Sequence, residues 1–291
     1  MTPLPPLPTS RGPLSDRLID SLAREPGHAG GLSDGTDVAD PWGDDVQLTL
    51  YVAFELRYRG FAGVDPAWEL DPDVLALTRA LGDAFLSTVG DEVGPVEVST
   101  PVEVRDALVA LASGDGPSLS RWIDEQGTLD HLREFAVHRS AYQLKEADPH
   151  SFALPRLPAG RAKAAFVEIQ ADEYGGGVPG ASHQELFAGT LRALGLDDQY
   201  GAHVDLVPAP TLATVNLVSA FGERRALLGA CVGHLALFEM TSVGPMDRYA
   251  RAVRRLAGSD AGARFYDVHV LADQHHQRLA LDQMVVPLVE D

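Results

Sequence analysis

The chain has 291 residues, of which 45% are hydrophobic and 22% are charged, so its composition is that of a folded globular protein. Acidic residues outnumber basic residues by 42 to 23, and the formal net charge of -19 argues against nucleic acid and anionic membranes as partners. The single cysteine excludes an intrachain disulfide, and without a signal peptide or an apolar run long enough for a membrane span we expect a cytoplasmic protein.

Helical periodicity dominates the chain after its first segment. Residues 1–45 mix Pro, Gly, Ser and Asp, which predicts an extended or poorly ordered lead-in with a short helix at 15–23. Residues 46–291 are predicted to form a single helical domain. Its expected helices are 46–57, 72–86, 101–112, 129–146, 160–174, 182–194, 209–221, 224–240, 246–256 and 261–284. Because no alternating strand is evident, the predicted fold class is all-α.

The last long helix carries a candidate metal-binding face. His269, Asp273 and His276 follow the spacing i, i+4, i+7, which places all three within about 40° of one direction on an α-helix. His275 points elsewhere. Two imidazoles and one carboxylate on a common face suit Fe, Zn or Mn. A polar stripe whose side chains are satisfied by hydrogen bonds remains the alternative for this triplet.

Two earlier segments supply further candidate ligands. Glu173 and His183 are separated by three glycines and Pro179, and such a break in the helix could swing both side chains into one site. A simple turn with both side chains exposed is the alternative. Glu146 ends a predicted helix, where a nearby cation would offset the unfavourable helix dipole. Together with the triplet, these residues predict a two-metal site drawn from several helices of a bundle.

Five sequence stretches share the pattern of a known family. They are residues 54–61 (FELRYRGF), 142–150 (YQLKEADPH), 167–175 (VEIQADEYG), 183–187 (HQELF) and 265–267 (FYD), the last leading into the triplet. With them the chain resembles the iron-containing redox enzyme family, the haem-oxygenase-like di-iron oxidases, over roughly residues 46–285. The resemblance implies a haem-oxygenase-like helical bundle with about seven core helices plus accessory helices.

The resemblance also implies a ligand set. One iron would be bound by Glu146, His183 and His276, and a second by Glu173, His269 and Asp273. Glu146 or Glu173 would bridge the ions, and both are assigned as catalytic. The implied cofactor is Fe(II), as one or two ions, with O₂ as co-substrate. The chain departs from the family at Arg57, where histidine is favoured, but this position lies outside the six ligands.

These observations predict a non-haem iron, O₂-dependent oxidase or oxygenase acting on a small organic substrate. In the family such reactions include N-oxygenation, oxidative C–C cleavage and decarboxylation, and a homodimer is compatible with the resemblance. The alternative is a metal-free small-molecule binding protein or a thiaminase-like protein, which would need a reactive cysteine, whereas Cys231 lies in an apolar run. A haem-degrading enzyme would need an axial histidine on the first helix, and residues 45–60 contain none.

Overall fold

The structure is a computed structural model that describes residues 3–27, 30–114 and 116–290. Within these ranges the chain forms helices and no strand, which confirms the all-α prediction. The α-helices are α1 Pro13–Leu22, α2 Asp44–Glu55, α3 Pro72–Val93, α4 Pro101–Ala112, α5 Leu119–Gln126, α6 Leu129–Gln143, α7 Asp148–Ser151, α8 Arg161–Glu173, α9 His183–Ala193, α10 Ala209–Glu223, α11 Leu228–Thr241, α12 Val243–Ala257, α13 Asp260–Arg278 and α14 Val286–Glu290.

The chain divides into two compact units, whereas the sequence predicted one domain beginning at residue 46. The first unit comprises Met1–Val96 and Gln199–Ala220, and the second comprises Glu97–Asp198 and Phe221–Asp291. Every candidate metal ligand belongs to the second unit.

The N-terminal segment belongs to the first unit and carries helix α1, which agrees with the short helix predicted at 15–23. Helix α1 packs against α2 and buries leucines at positions 14, 18 and 22, a spacing that places them on one face. The Asp45 carboxylate accepts hydrogen bonds from the backbone N–H groups of Leu14 and Ser15, at 2.9 and 2.8 Å. A buried apolar face and a carboxylate at the helix N-terminus both stabilise α1 in place.

The core of the second unit lies where α8, α11 and the segment after α13 pack together. Its buried members are Ala153, Leu157, Ala165, Phe166, Ile169, Cys231, Val232, Leu235, Ala236, Ala280, Met284 and Val285. Three of these side chains lie one helical turn from a buried acid or histidine: Ile169 from Glu173, Leu235 from Glu239, and Ala280 from His276. Because residues four apart share a helix face, burial of this core directs those polar side chains toward the same region.

The last long helix changes its geometry after the candidate ligands. The sequence predicted one helix over 261–284, whereas α13 ends at Arg278 and a π-helical segment, Leu279–Val285, follows. Residues on both sides of the change are buried, and α13 itself packs against α9 and α12. The three ligand candidates of α13 therefore lie in regular α-helix, and their predicted common face is preserved.

The apolar helices of the second unit bear on whether the chain spans a membrane. No single helix among residues 3–27, 30–114 and 116–290 is both long enough and apolar enough to cross a bilayer. One pair, Arg225–Thr241 and Val243–Ala257, reaches the required length and composition only when taken together, and it is bent by 55° at the join.

Candidate metal centre

The glycine-rich break between α8 and α9 brings Glu173 and His183 together. Gly175 has φ of +69°, and a Cβ atom there would lie 2.4 Å from the backbone carbonyl carbon of Ala181, so only glycine permits this close return of the chain. Ser182 then begins α9 by accepting a hydrogen bond from the backbone N–H of Glu185. As a result, His183 Nδ1 lies 2.8 Å from Glu173 Oε2.

Four side chains form a first candidate cation site. Glu146 lies in the turn between α6 and α7, Glu173 ends α8, His183 begins α9, and His269 lies on α13. Each offers one ligand atom, and these atoms all lie within 4.8 Å of one another. Besides the His183–Glu173 contact, His269 Nε2 lies 3.7 Å from Glu146 Oε2. We call these four residues the first group.

Unpaired atoms in this region test whether a cation fits. Glu146 Oε2, Glu173 Oε2, His183 Nδ1 and Asp273 Oδ1 are buried and have no hydrogen-bond partner in the described part of the chain. His183 Nδ1 and Glu173 Oε2 approach closely, yet their geometry is not that of a hydrogen bond. A buried polar atom without a partner costs about 1–3 kcal/mol, and bound cations would remove this cost. Their nitrogen and oxygen donors suit iron.

The ring of His269 is oriented for ligation. Its Nδ1 lies 2.8 Å from the backbone carbonyl oxygen of Phe265. Because a carbonyl oxygen can only accept, Nδ1 must donate, and the lone pair of the neutral ring is then on Nε2, which faces Glu146. A ring nitrogen fixed by a backbone carbonyl is typical of metal-binding histidines.

Three buried side chains form a second group: Glu239 on α11, with Asp273 and His276 on α13. Their ligand atoms also lie within 4.8 Å of one another. His276 Nδ1 lies 3.2 Å from Glu239 Oε2 and 3.7 Å from Asp273 Oδ1. The Ser242 hydroxyl donates a hydrogen bond to the other carboxylate oxygen of Asp273. The second group therefore offers two carboxylates and one imidazole.

The two groups divide the predicted ligands differently from the pairing implied by the resemblance. The resemblance placed His276 with Glu146 and His183, and Asp273 with Glu173 and His269. In the structure, Asp273 and His276 group with Glu239 instead. The physical reason is helix packing, which places His269 Nε2 3.7 Å from Glu146 Oε2 and His276 Nδ1 3.2 Å from Glu239 Oε2.

Glu239 is the ligand candidate that the sequence did not predict. It is 5% exposed, although it lies in a strongly apolar helix. A buried carboxylate needs a partner, and this could have indicated a cation. No spacing connects it to the other acids, however, so a lone acid of this kind carried little signal.

The two histidines of α13 lie among carboxylates that stabilise their protonated forms. Burial would lower the pKa of His269, but the adjacent Glu146 carboxylate outweighs it and raises that pKa to about 10. Burial likewise opposes protonation of His276, whereas the Asp273 carboxylate and further acids raise its pKa to about 11. With no metal bound, both imidazoles therefore carry a proton at pH 7.

The two buried glutamates titrate in opposite directions. Burial raises the pKa of Glu239 to about 8, although the hydrogen bond with His276 opposes this shift. Burial also opposes ionisation of Glu173, but the charge of His183 outweighs it and lowers the pKa of Glu173 to about 2. Without a metal, protons therefore neutralise part of the negative charge of these carboxylates, which a bound cation would otherwise neutralise.

Metal binding is therefore expected to release protons. His269 and His276 have pKa values well above 7, and each must lose a proton to become a ligand, so metal binding at pH 7 should release protons. Affinity should rise with pH, because fewer protons then compete with the metal. Anaerobic calorimetric titration with Fe(II) in two buffers of different ionisation enthalpy measures this release. Binding without proton release would contradict the assignment of these ligands.

Comparison with known proteins agrees with this chemistry. A family model described as "Iron-containing redox enzyme" matches residues 133–291, a range that includes both groups. A nitrosourea synthase from Streptomyces achromogenes subsp. streptozoticus is 29% identical over 131 residues, which is 45% of this chain. The match spans only 28% of the length of that relative. The family model covers more than half of the chain, which confirms the resemblance and the haem-oxygenase-like fold class, and the chain belongs to the iron-containing redox enzyme family.

Proposed function

We propose that this protein is a non-haem di-iron oxidase or oxygenase that uses O₂ to oxidise a small organic substrate. The observation that carries the proposal is the pair of side-chain groups, each with a buried carboxylate oxygen that has no hydrogen-bond partner among the described residues. Family membership supports iron and redox chemistry in general. To family membership the proposal adds the number of iron ions, the use of O₂ and the type of reaction.

Each group would hold one iron. Glu146, Glu173, His183 and His269 would bind the first ion, and Glu239, Asp273 and His276 would bind the second. Fe(II), when bound, supplies electrons for the reduction of O₂. The second group provides only three side chains, so positions remain on its ion for O₂ or substrate.

The residues of the chain set the conditions for this chemistry. Three of the four side chains of the first group are shielded from water, because Glu173, His183 and His269 are at most 6% exposed. Tyr266 lies within electrostatic reach of Glu146, and its hydroxyl has no partner among the described residues. Burial raises the pKa of this phenol, which therefore keeps its proton and can donate a hydrogen bond to an oxygen atom in the site.

The relative's name suggests the first substrate class to test. A nitrosourea carries a nitroso group on nitrogen, so the product named for that relative contains an oxidised nitrogen. For this chain we propose N-oxygenation of a small amine or guanidino compound, with oxidative C–C cleavage and decarboxylation as the other outcomes. The net charge of -19 favours a cationic substrate of this kind over an anionic one.

The metal-free alternative is less consistent with the structure. A thiaminase-like enzyme needs a reactive thiolate. Cys231 is buried in the core of the second unit, and burial raises the pKa of its thiol to about 11. Little thiolate is therefore present at pH 7, and the thiol is not accessible to a substrate.

The function is tested by O₂ uptake after anaerobic loading with Fe(II). We expect the loaded protein to consume O₂ faster with one of a panel of amines, guanidino compounds, amino acids and fatty acids, and mass spectrometry should identify the oxidised product. The double variant His269→Ala/His276→Ala should retain no iron, whereas His275→Ala, an exposed histidine of the same helix, should retain it fully. A wild-type protein that retains no iron, or a double variant that retains all of it, would refute the proposal.

A further inference from the structure

The second ring nitrogen of His276 has a partner outside both groups. His276 Nδ1 faces Glu239 and Asp273, while Nε2 lies 2.9 Å from Asp172 Oδ2 with hydrogen-bond geometry. His276 is fully buried, whereas the Asp172 side chain is 53% exposed. The hydrogen bond to Asp172 therefore links the buried second group to a solvent-exposed side chain of α8.

The chemistry of this contact selects one form of the ring. An ionised carboxylate can only accept a hydrogen bond, so His276 Nε2 must donate to Asp172. When the ring is neutral, its one remaining lone pair is then on Nδ1, the nitrogen that faces Glu239 and Asp273. In His269 the roles of the two ring nitrogens are reversed. Its Nδ1 donates to the backbone carbonyl of Phe265, so the lone pair of the neutral ring is on Nε2.

We propose that Asp172 is a positioning residue for the second metal, and this inference rests on the proposed function. Asp172 holds His276 in the tautomer and orientation that direct Nδ1 into the second group. Because Asp172 directly precedes Glu173, a member of the first group, the same turn of α8 supports both groups. Loss of the Asp172 carboxylate should therefore weaken the second metal selectively, without removing any ligand.

The chain contains a matched control for this contact. His275 Nε2 lies 2.9 Å from Glu168 Oε1, so a second histidine–carboxylate pair joins the same two helices. The side chains of His275 and Glu168 are 60% and 53% exposed, and neither residue belongs to a group. Removing Glu168 tests the effect of losing a surface ion pair between α8 and α13, which is small as a rule.

The experiment is an anaerobic Co(II) titration of the wild type, Asp172→Ala, Asp172→Asn and Glu168→Ala, followed by visible absorption and equilibrium dialysis. We expect Asp172→Ala to weaken one of two equivalents by about 10- to 100-fold and to leave the other unchanged. Asp172→Asn, whose amide oxygen still accepts a hydrogen bond, should fall between Asp172→Ala and the wild type. Thermal denaturation of the metal-free proteins should show that all variants are folded.

The outcomes separate this inference from the proposed function. If the wild type binds two equivalents and Asp172→Ala binds both as tightly, or if Glu168→Ala loses as much affinity, the role of Asp172 is overturned and the di-iron proposal stands. If the wild type binds fewer than two equivalents, both are overturned. Should Asp172→Ala not fold, Asp172→Asn decides, and wild-type affinity in that variant would overturn the inference.

Discussion

Replacement of Glu173 by Gln is expected to abolish iron binding in the first group and, with it, O₂ consumption. Glu173 offers an unpaired buried oxygen, lies 2.8 Å from His183 Nδ1 and acts electrostatically on His269 and His276. The variant keeps the shape of the side chain but removes the negative charge that a cation requires. Indirect supports of metal ligands cost about 10- to 100-fold when removed, so loss of a ligand should exceed about 100-fold in iron affinity and in rate.

This prediction is measured by iron content and O₂ uptake of anaerobically loaded protein. Glu168→Gln is the control, because Glu168 lies on the same helix with an exposed side chain and outside both groups. Wild-type iron content in Glu173→Gln would mean that this carboxylate is not a ligand. Loss of iron in Glu168→Gln to the same extent would point to a general effect of charge on α8.

Replacement of Gly175 by Ala is expected to lower the free energy of unfolding more than the other proposed substitutions. The residue has φ of +69°, and the added Cβ would lie 2.4 Å from the Ala181 carbonyl carbon and 2.6 Å from the Ser182 nitrogen, so the backbone must move. The left-handed conformation and the overpacking each cost on the order of 1–3 kcal/mol. Because the same turn delivers His183 to Glu173, iron retention should fall together with stability.

The variant Gly176→Ala separates the cost of the left-handed conformation from the cost of the close contact with Ala181. Gly176 also has a positive φ, +60°, but a Cβ atom there would meet nothing within 4 Å. Only the conformational cost of about 1 kcal/mol should remain, and His183 should stay in place. Urea denaturation and iron content measure both effects. Equal losses in the two variants would show that the close approach to Ala181 does not hold the turn.

The sequence was most informative where periodicity or a chain break carried the signal. The common face of His269, Asp273 and His276 followed from helical spacing, and the regular geometry of α13 preserves it. The return of His183 toward Glu173 followed from the run of glycines, because such a run ends a helix whatever surrounds it. Both inferences needed only local physics.

The sequence was least informative where tertiary packing decides the outcome. The grouping of histidines and acids around each ion depends on where along α13 the helices α8, α9 and α11 pack. No local sequence pattern encodes those packing positions. Glu239 lies 66 residues from Glu173, in an apolar helix without a motif. Asp172 points about 100° away from Glu173 on an ideal helix and would be assigned to the surface, so its contact with His276 follows only from helix packing.

Residues 1–45 show that a short periodic pattern is informative even where composition favours disorder. Their Pro, Gly, Ser and Asp content is typical of a poorly ordered segment. The leucines at positions 14, 18 and 22 nonetheless form a short apolar face, and burial of three leucines stabilises a helix by several kcal/mol, or about 1.5–3 kcal/mol each. The short helix predicted at 15–23 agrees with α1, Pro13–Leu22.

Anomalous diffraction at the iron edge, from crystals of Fe(II)-loaded protein, tests the central claim most directly. We expect two iron peaks per chain, one among Glu146, Glu173, His183 and His269 and the other among Glu239, Asp273 and His276. A missing peak in either place would contradict the di-iron account. An iron held by His276, Glu146 and His183 would contradict the division of the ligands into these two groups.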